Sequence, residues 1–228
     1  DLRDTLEMKY SDFPFIMMQT FLEKKYNKTL DIVVKERIFD KMNLKRTMFN
    51  PNKNSSLHDN IVPSEIDNYF RNQELKGYVH DMAAAMLGGI AGHAGLFSNS
   101  FEVASLMQMY LNKGNYDGKN FFSSETFEKF NNCIYCHNGN RRGVGFDKPQ
   151  IEGSGSTCGC VSSESFGHSG FTGTYAWADP EEKIIYVFLS NRTYPSMDNT
   201  LLIDHSIRTR IQKIIYDSIL IKKNKNWK

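Results

Sequence analysis

The chain has 228 residues, with 28 Lys and Arg against 26 Asp and Glu, for a formal net charge of +2. Hydrophobic residues make up 40% and aromatics 13%, which excludes an intrinsically disordered chain, because that much apolar surface offsets ordering entropy. The even charge balance, with no basic stripe interleaved with aromatics, excludes a dedicated nucleic-acid binder. Lys222, Lys223, Lys225 and Lys228 cluster at a terminus and read as a solvated tail. The longest stretch free of Asp, Glu, Lys and Arg, from Met82 to Phe101, is broken by Gly88, Gly89, Gly92 and Gly95, so no transmembrane segment is read. The opening Asp-Leu-Arg-Asp has neither an initiating Met nor a signal peptide and reads as the start of a fragment.

In chain order, residues 14–27 place Phe15, Met18, Phe21 and Leu22 at helical spacing, with Pro14 in the first turn, where its missing N–H costs nothing. Thr29 is positioned to cap a second helix through Lys41, burying Val33, Val34, Ile38 and Met42. Residues 50–73 are polar and read as an extended loop. A short apolar helix follows over residues 80–87. Ser100 is expected to cap a helix carrying Val103, Leu106, Met107, Tyr110 and Leu111, stopped by Gly114, and Ser123 or Ser124 to start a shorter one. The Met pairs Met17, Met18 and Met107, Met109 read as core or groove lining.

From Phe146 the character changes. Residues 153–159 form a Gly/Ser/Cys loop, residues 166–178 read as one strand, and Asp179-Pro180-Glu181-Glu182 as a turn. Ile184 to Ser190 then reads as a strand buried on both faces. Residues 199–220 put Ile203, Ile207, Ile211, Ile214 and Ile215 on one helical stripe that must pack on the neighbouring strands.

Three constellations could carry chemistry. Cys133-Ile-Tyr-Cys136 has zinc-ribbon spacing but Cys158-Gly-Cys160 does not, so disulfides or free thiols compete with a zinc site. Tyr10-Ser11-Asp12 precedes a helix, where an Asp or Ser is ordinarily an N-cap. Gly167-His168-Ser169-Gly170-Phe171-Thr172-Gly173 reads either as a bulged edge strand or as a strand edge left open to a ligand. His93, among four glycines, reads as a loop residue bonded to backbone, and Asp81 as a local cap or partner.

Tyr10-Ser11-Asp12 and His168-Ser169-Gly170 together resemble the later motifs of serine β-lactamases and penicillin-binding proteins, on the branch of class C β-lactamases, DD-peptidases and esterases. The first matches a Tyr-x-Asn triplet with Asp12 replacing Asn; the second matches a Lys-Thr-Gly strand with His168 replacing Lys. Gly92-His93-Ala94-Gly95-Leu96-Phe97-Ser98 and the Asp179-Pro180 hairpin are similar to the family's loop and final hairpin. The likeness extends to the β-lactamase-like module that follows a family-3 glycoside hydrolase domain in some bacterial envelope proteins. The resemblance implies an α/β (α+β) fold of the β-lactamase/transpeptidase type, present in part. One domain would span 1–228, with a mainly helical region over 1–145. Antiparallel strands covered by a long C-terminal helix would fill 146–228.

No serine in the chain has a Lys three residues later, so the Ser-x-x-Lys nucleophile that the family places upstream is absent. The resemblance therefore implies the C-terminal part of a serine hydrolase that acts by acyl transfer on a β-lactam, peptide or ester, and is inactive alone. The alternative is a non-catalytic binding or spacer module. Tyr10, Asp12 and His168 would be catalytic, with Tyr10 sharing the base's task; a phenol with a pKa near ~10 needs nearby cations for that. Ser169, Gly170 and Phe171 would bind substrate, Phe171 lending an amide to the oxyanion hole. With His in place of Lys, the weaker fixed charge would favour ester- or amide-type substrates. No cofactor and no metal are implied. The expected partners are a small-molecule or peptide substrate and, at the edge of strand Ile184 to Ser190, the missing N-terminal segment or another chain. Family habit implies a periplasmic or cell-envelope location.

Overall fold

A computed structural model describes residues 9–136, 139–150 and 155–225, the side chains of 55 and 221–225 excepted. Helix α1 (Phe13–Tyr26) leads into a continuous helical run of α2 (Leu30–Val34), a π-helical turn (Lys35–Phe39) and α3 (Asp40–Met42). Then come β1 (Met48–Phe49), β2 (Ile66–Asp67), β3 (Gln73–Glu74), α4 (Met82–Met86), β4 (Leu96–Phe97) and α5 (Ser100–Leu111). The ribbon β5 (Asn115–Tyr116) and β6 (Lys119–Asn120) precedes α6 (Ser124–Asn131). The chain closes with β7 (Phe166–Ser169), β8 (Tyr175–Asp179), β9 (Ile184–Phe188), α7 (Leu201–Asp204) and α8 (Ile207–Lys225). This is the expected mixture of helices and antiparallel strands. Residues 153 and 154 of the expected Gly/Ser/Cys loop, and Lys228, lie outside the described residues, and the helix runs on through Lys225 where a tail was expected.

The chain forms two compact units. One comprises Lys9–Val103 with Leu189–Asn199. In it, α1 turns Ile16, Gln19, Leu22 and Tyr26 inward, a helical stripe, while Phe15, Met18 and Phe21 are exposed. The buried anchor is polar: Gln19 donates to the Ile90 carbonyl (3.0 Å) and accepts from the Gly92 amide (3.0 Å). Gly92 is what lets α1 come this close, since a Cβ there would meet the Phe15 carbonyl oxygen at 2.3 Å. Of the methionines expected as core or groove lining, Met107 and Met109 are buried, whereas Met17 and Met18 lie on the outer face of α1, more than half exposed. Thr29 stands at the N-cap of α2 but makes no side-chain cap bond; Glu23 instead accepts from the Leu30 amide (2.9 Å). Asn99, not Ser100, caps α5, its Oδ1 accepting from the Glu102 amide (2.9 Å).

Residues 50–73, expected as a loop, are held by two buried carboxylates. Asp67 accepts from the Arg71 guanidinium (2.9 Å) and from the amides of Tyr69, Phe70 and Arg71. Glu65 accepts from the Tyr69 hydroxyl (2.8 Å) and the Met197 amide (3.1 Å). A polar sequence thus becomes ordered by satisfying buried charge rather than by burying apolar surface. Burial pushes the Asp67 carboxyl up, but Arg71 and the three amides outweigh it and bring it down to about 2.

The other unit comprises Ala104–Phe188 and the chain from Thr200. Its sheet has the order β7-β8-β9, antiparallel throughout, with Phe166 opposite Ala178 and Trp177 opposite Tyr186. Residues 170–174, expected as strand, are a turn: the Gly170 amide donates to the Thr174 carbonyl (2.8 Å), and Gly173 takes a φ of 101° that other residues rarely adopt. Strand alternation sorts the side chains. Phe166 packs with Phe127 and Phe146, whereas Tyr175, Trp177 and Tyr186 form a cluster against Ile211 and Ile215 of α8. Ile203 and Ile214 are exposed, because α7 ends at His205 and the stripe of α8 runs through Gln212 and Tyr216 instead. Strand β9 buries only Tyr186, correcting the two-sided burial expected of it. Among the described residues no strand pairs with its outer side.

Asp179 ties the end of β8 to α8. Its carboxylate accepts from the Ser162 amide (2.9 Å) and hydroxyl (2.6 Å), the Tyr216 hydroxyl (2.7 Å) and the Glu181 amide (3.1 Å). Burial pushes this carboxyl up, but these donors prevail and hold it below the ordinary carboxylate range.

Two predictions follow from these carboxylates. Because folding lowers the pKa of both Asp67 and Asp179, the stability they contribute is complete above the unfolded value near ~4 and drains away as pH falls through their folded values. Urea midpoints should therefore drop between about pH 4 and 2, and Asp67→Asn should flatten that part of the profile. Tyr216→Phe should cost about 2 kcal/mol at pH 7 by removing a hydroxyl from a buried charge; an unchanged urea midpoint would contradict it.

Candidate functional site

Tyr10, Ser11 and Asp12 sit together ahead of α1 in the first unit. Tyr10 is 60% exposed. Asp12 holds the N-cap position, its carbonyl accepting from the Phe15 (3.0 Å) and Ile16 (3.2 Å) amides, but its side chain makes no cap bond. Ser11 Oγ accepts from the Phe13 amide (3.2 Å). The ordinary capping explanation accounts for where Asp12 sits and not for its carboxylate.

His168 and Ser169 end β7 in the other unit, and Gly170 and Phe171 begin its turn, with Phe171 61% exposed. The backbone before them is tightly constrained. A Cβ at Gly167 would meet the Ala176 carbonyl oxygen at 2.3 Å and the Trp177 ring at 2.4 Å, so Gly is needed for β8 to lie where it does. Gly167 also donates to the Asp147 carbonyl (3.1 Å) and accepts from the Asp147 amide (2.8 Å) on the side away from β8. By the parity of an antiparallel ladder, the amide and carbonyl of Ser169 turn to that same outer side. The two candidate sets thus belong to different units, each brought together within its own.

Arg142 and Asp147 were not singled out by sequence. Asp147 is buried, with Arg141 Nη1 at 2.5 Å and Arg142 Nη2 at 3.1 Å from its carboxylate. The Asp147–Gly167 bridge carries this pair to β7, where Arg142 Nη1 lies 3.4 Å from His168 Nε2. Lys148 is buried as well, its Nζ donating to the Glu164 carbonyl (3.0 Å). Burial pulls its pKa down to about 8 against the opposing pull of Glu164 and Asp179. No periodicity marks these residues, because they lie in an irregular segment; only two adjacent arginines close to an Asp hint at them.

His93 is buried and pairs with a carboxylate rather than with backbone: its Nε2 is 3.0 Å from Asp81 Oδ1, the same oxygen that caps α4 by accepting from the Ala84 amide (2.7 Å). Both roles expected of Asp81 therefore hold at once. Cysteines 133 and 136 form one disulfide and 158 and 160 another, so no thiolates remain for the zinc site that their spacing raised. Among the described residues no group of three or more His, Cys, Asp or Glu side chains is placed to hold a metal ion.

The chain as a whole is similar to known proteins. The Beta-lactamase family model matches residues 6–206. A putative D-alanyl-D-alanine carboxypeptidase of Escherichia coli K12 is 32% identical over 200 residues, covering 81% of this chain and 45% of that protein. The chain thus spans about half the length of the curated relatives it matches. A beta-lactamase from Mycobacterium bovis superposes with a TM-score of 0.59 at 16% identity, covering 93% of this chain and 63% of its own. A penicillin-binding protein homologue from Caulobacter crescentus does so with 0.53 at 17%, covering 76% and 49%. At those identities the structures speak to the fold alone. With a family match across most of its length and a fold shared with two such structures, the chain belongs to the beta-lactamase family.

Proposed function

We propose that this chain is part of a serine hydrolase that works by acyl transfer on an amide or ester, and that the attacking Ser and its Lys are carried on polypeptide outside these 228 residues. The observation that carries the reading is the outer edge of β7. At Gly167 that edge is paired with Asp147, and beyond it Ser169 turns its amide and carbonyl to the same side, away from β8, as strand-wise docking of an extended substrate requires. The family match and the absence of a Lys three residues after any serine support the division of labour.

In this reading the serine hydroxyl attacks the carbonyl carbon while its proton passes to the base pair of Tyr10 and the external Lys. The tetrahedral oxyanion is held by backbone amides, that of Phe171 among them. Asp12 orients the groups around Tyr10; the tetrahedral adduct collapses and expels the amine or alcohol, which takes the proton back from that base pair, and water then hydrolyses the acyl-serine ester to free acid and serine. D-alanyl peptides are the substrate class suggested by the carboxypeptidase relatives. Two local disulfides accord with an oxidising compartment such as the cell envelope.

A polypeptide containing this chain and its upstream segment should gain the mass of one β-lactam or fluorophosphonate adduct, and the 228 residues alone should gain none. Tyr10→Phe should slow acylation about 100-fold or more while folding normally. An upstream-containing protein that stays unlabelled, yet still binds a peptide, would establish the non-catalytic binding module instead.

A further inference from the structure

The contacts of His168 fix more than its position. Its Nδ1 lies 2.7 Å from the Ser169 carbonyl oxygen, which can only accept, and its Nε2 lies 3.4 Å from Arg142 Nη1, which can only donate. One assignment satisfies both: the imidazole carries its proton on Nδ1 and offers the lone pair of Nε2 to the guanidinium. Both ring nitrogens are thereby engaged, and moving a proton through the ring would require breaking a bond. Arg142 is itself placed by the fold. Its side chain is mostly buried, Nη2 is 3.1 Å from the Asp147 carboxylate, and the backbone bridges Arg142 to Asp147 and Asp147 to Gly167 beside His168.

We propose that Arg142, clamped by Asp147, is the positioning residue of the β7 motif: it holds His168 as the Nδ1–H tautomer and gives that strand edge a permanent positive charge. His168 is then a fixed hydrogen-bonding arm and not a proton carrier, which reverses the weak-charge expectation drawn from a histidine at this place. The inference rests on the hydrolase reading only for its effect on turnover; the tautomer is a property of this chain alone. On turnover, the charge attracts an anionic group of an acyl substrate, so a free carboxylate is favoured over its neutral ester.

Nitrogen-15 NMR of the histidine-labelled chain tests the first part, with His168→Asn assigning the signal. The unaltered chain should show a protonated Nδ1 and a bare Nε2 at His168. Arg142→Met should bring up the Nε2–H form, Asp147→Asn should do so as well by releasing the arginine, and Arg142→Lys should restore the original state. A predominant Nε2–H tautomer in the unaltered chain, or a His168 signal indifferent to Arg142→Met, overturns the proposal. Should Arg142→Met fail to fold, the unaltered spectrum and Arg142→Lys still decide. In the complete polypeptide, Arg142→Met should lower kcat/KM about tenfold for an acyl-D-alanine depsipeptide with a free carboxylate, mainly through KM, and less than about twofold for its methyl ester. Equal losses on both substrates would reduce Arg142 to a structural role and overturn the charge assignment. A polypeptide without acyl transfer overturns the function proposed above, and the tautomer spectrum then decides the positioning role by itself.

Discussion

The backbone of Gly167 has neighbours on every side. The Trp177 ring and the Ala176 carbonyl occupy the space where a Cβ would stand, and the amide and carbonyl both bond to Asp147. This one close-packed residue aligns three things at once. It seats β7 against β8, it turns the backbone of Ser169 to the outer edge, and it draws the 142–147 segment alongside the strand so that Arg142 reaches His168. The covering helix α8 makes the arrangement rigid from the other face, through the aromatic cluster of Tyr175, Trp177 and Tyr186 and through the Asp179–Tyr216 bond.

Much of this was legible in the sequence where short-range chemistry decides the structure. Pro14 opens α1, Ser123 caps α6, Gly114 ends the helix before it, and Asp179-Pro180 turns β8 into β9, each as the local residue types require. The segment Gly167 to Gly173 drew attention because three glycines beside small polar residues at the head of a strand are unusual, and β7 does end there, at Ser169. Orientation was less legible. The apolar residues of α1 fit a helix, but which face it buries is set by Gln19 and by the glycine at 92, a contact between residues more than seventy positions apart. The same holds for the polar stretch 50–73, whose order comes from Glu65 and Asp67 meeting donors that only the folded chain supplies.

The residues that sequence reasoning missed share a cause. Arg142, Asp147 and Lys148 lie in irregular backbone, and their importance arises from burial of charge, which has no periodic signature. A buried carboxylate with two guanidiniums is costly to assemble, and breaking it leaves an uncompensated charge. Its place beside the histidine of the β7 motif is what the positioning role proposed for Arg142 requires.

The central claim is that this chain holds the substrate-aligning part of an acyl-transfer hydrolase whose nucleophile lies elsewhere in the polypeptide. Peptide mapping of the complete protein after reaction with a β-lactam tests it most directly. The account predicts a single acylated serine, followed three residues later by lysine, preceding Asp1 of this chain. A modified serine within residues 1–228 would contradict it.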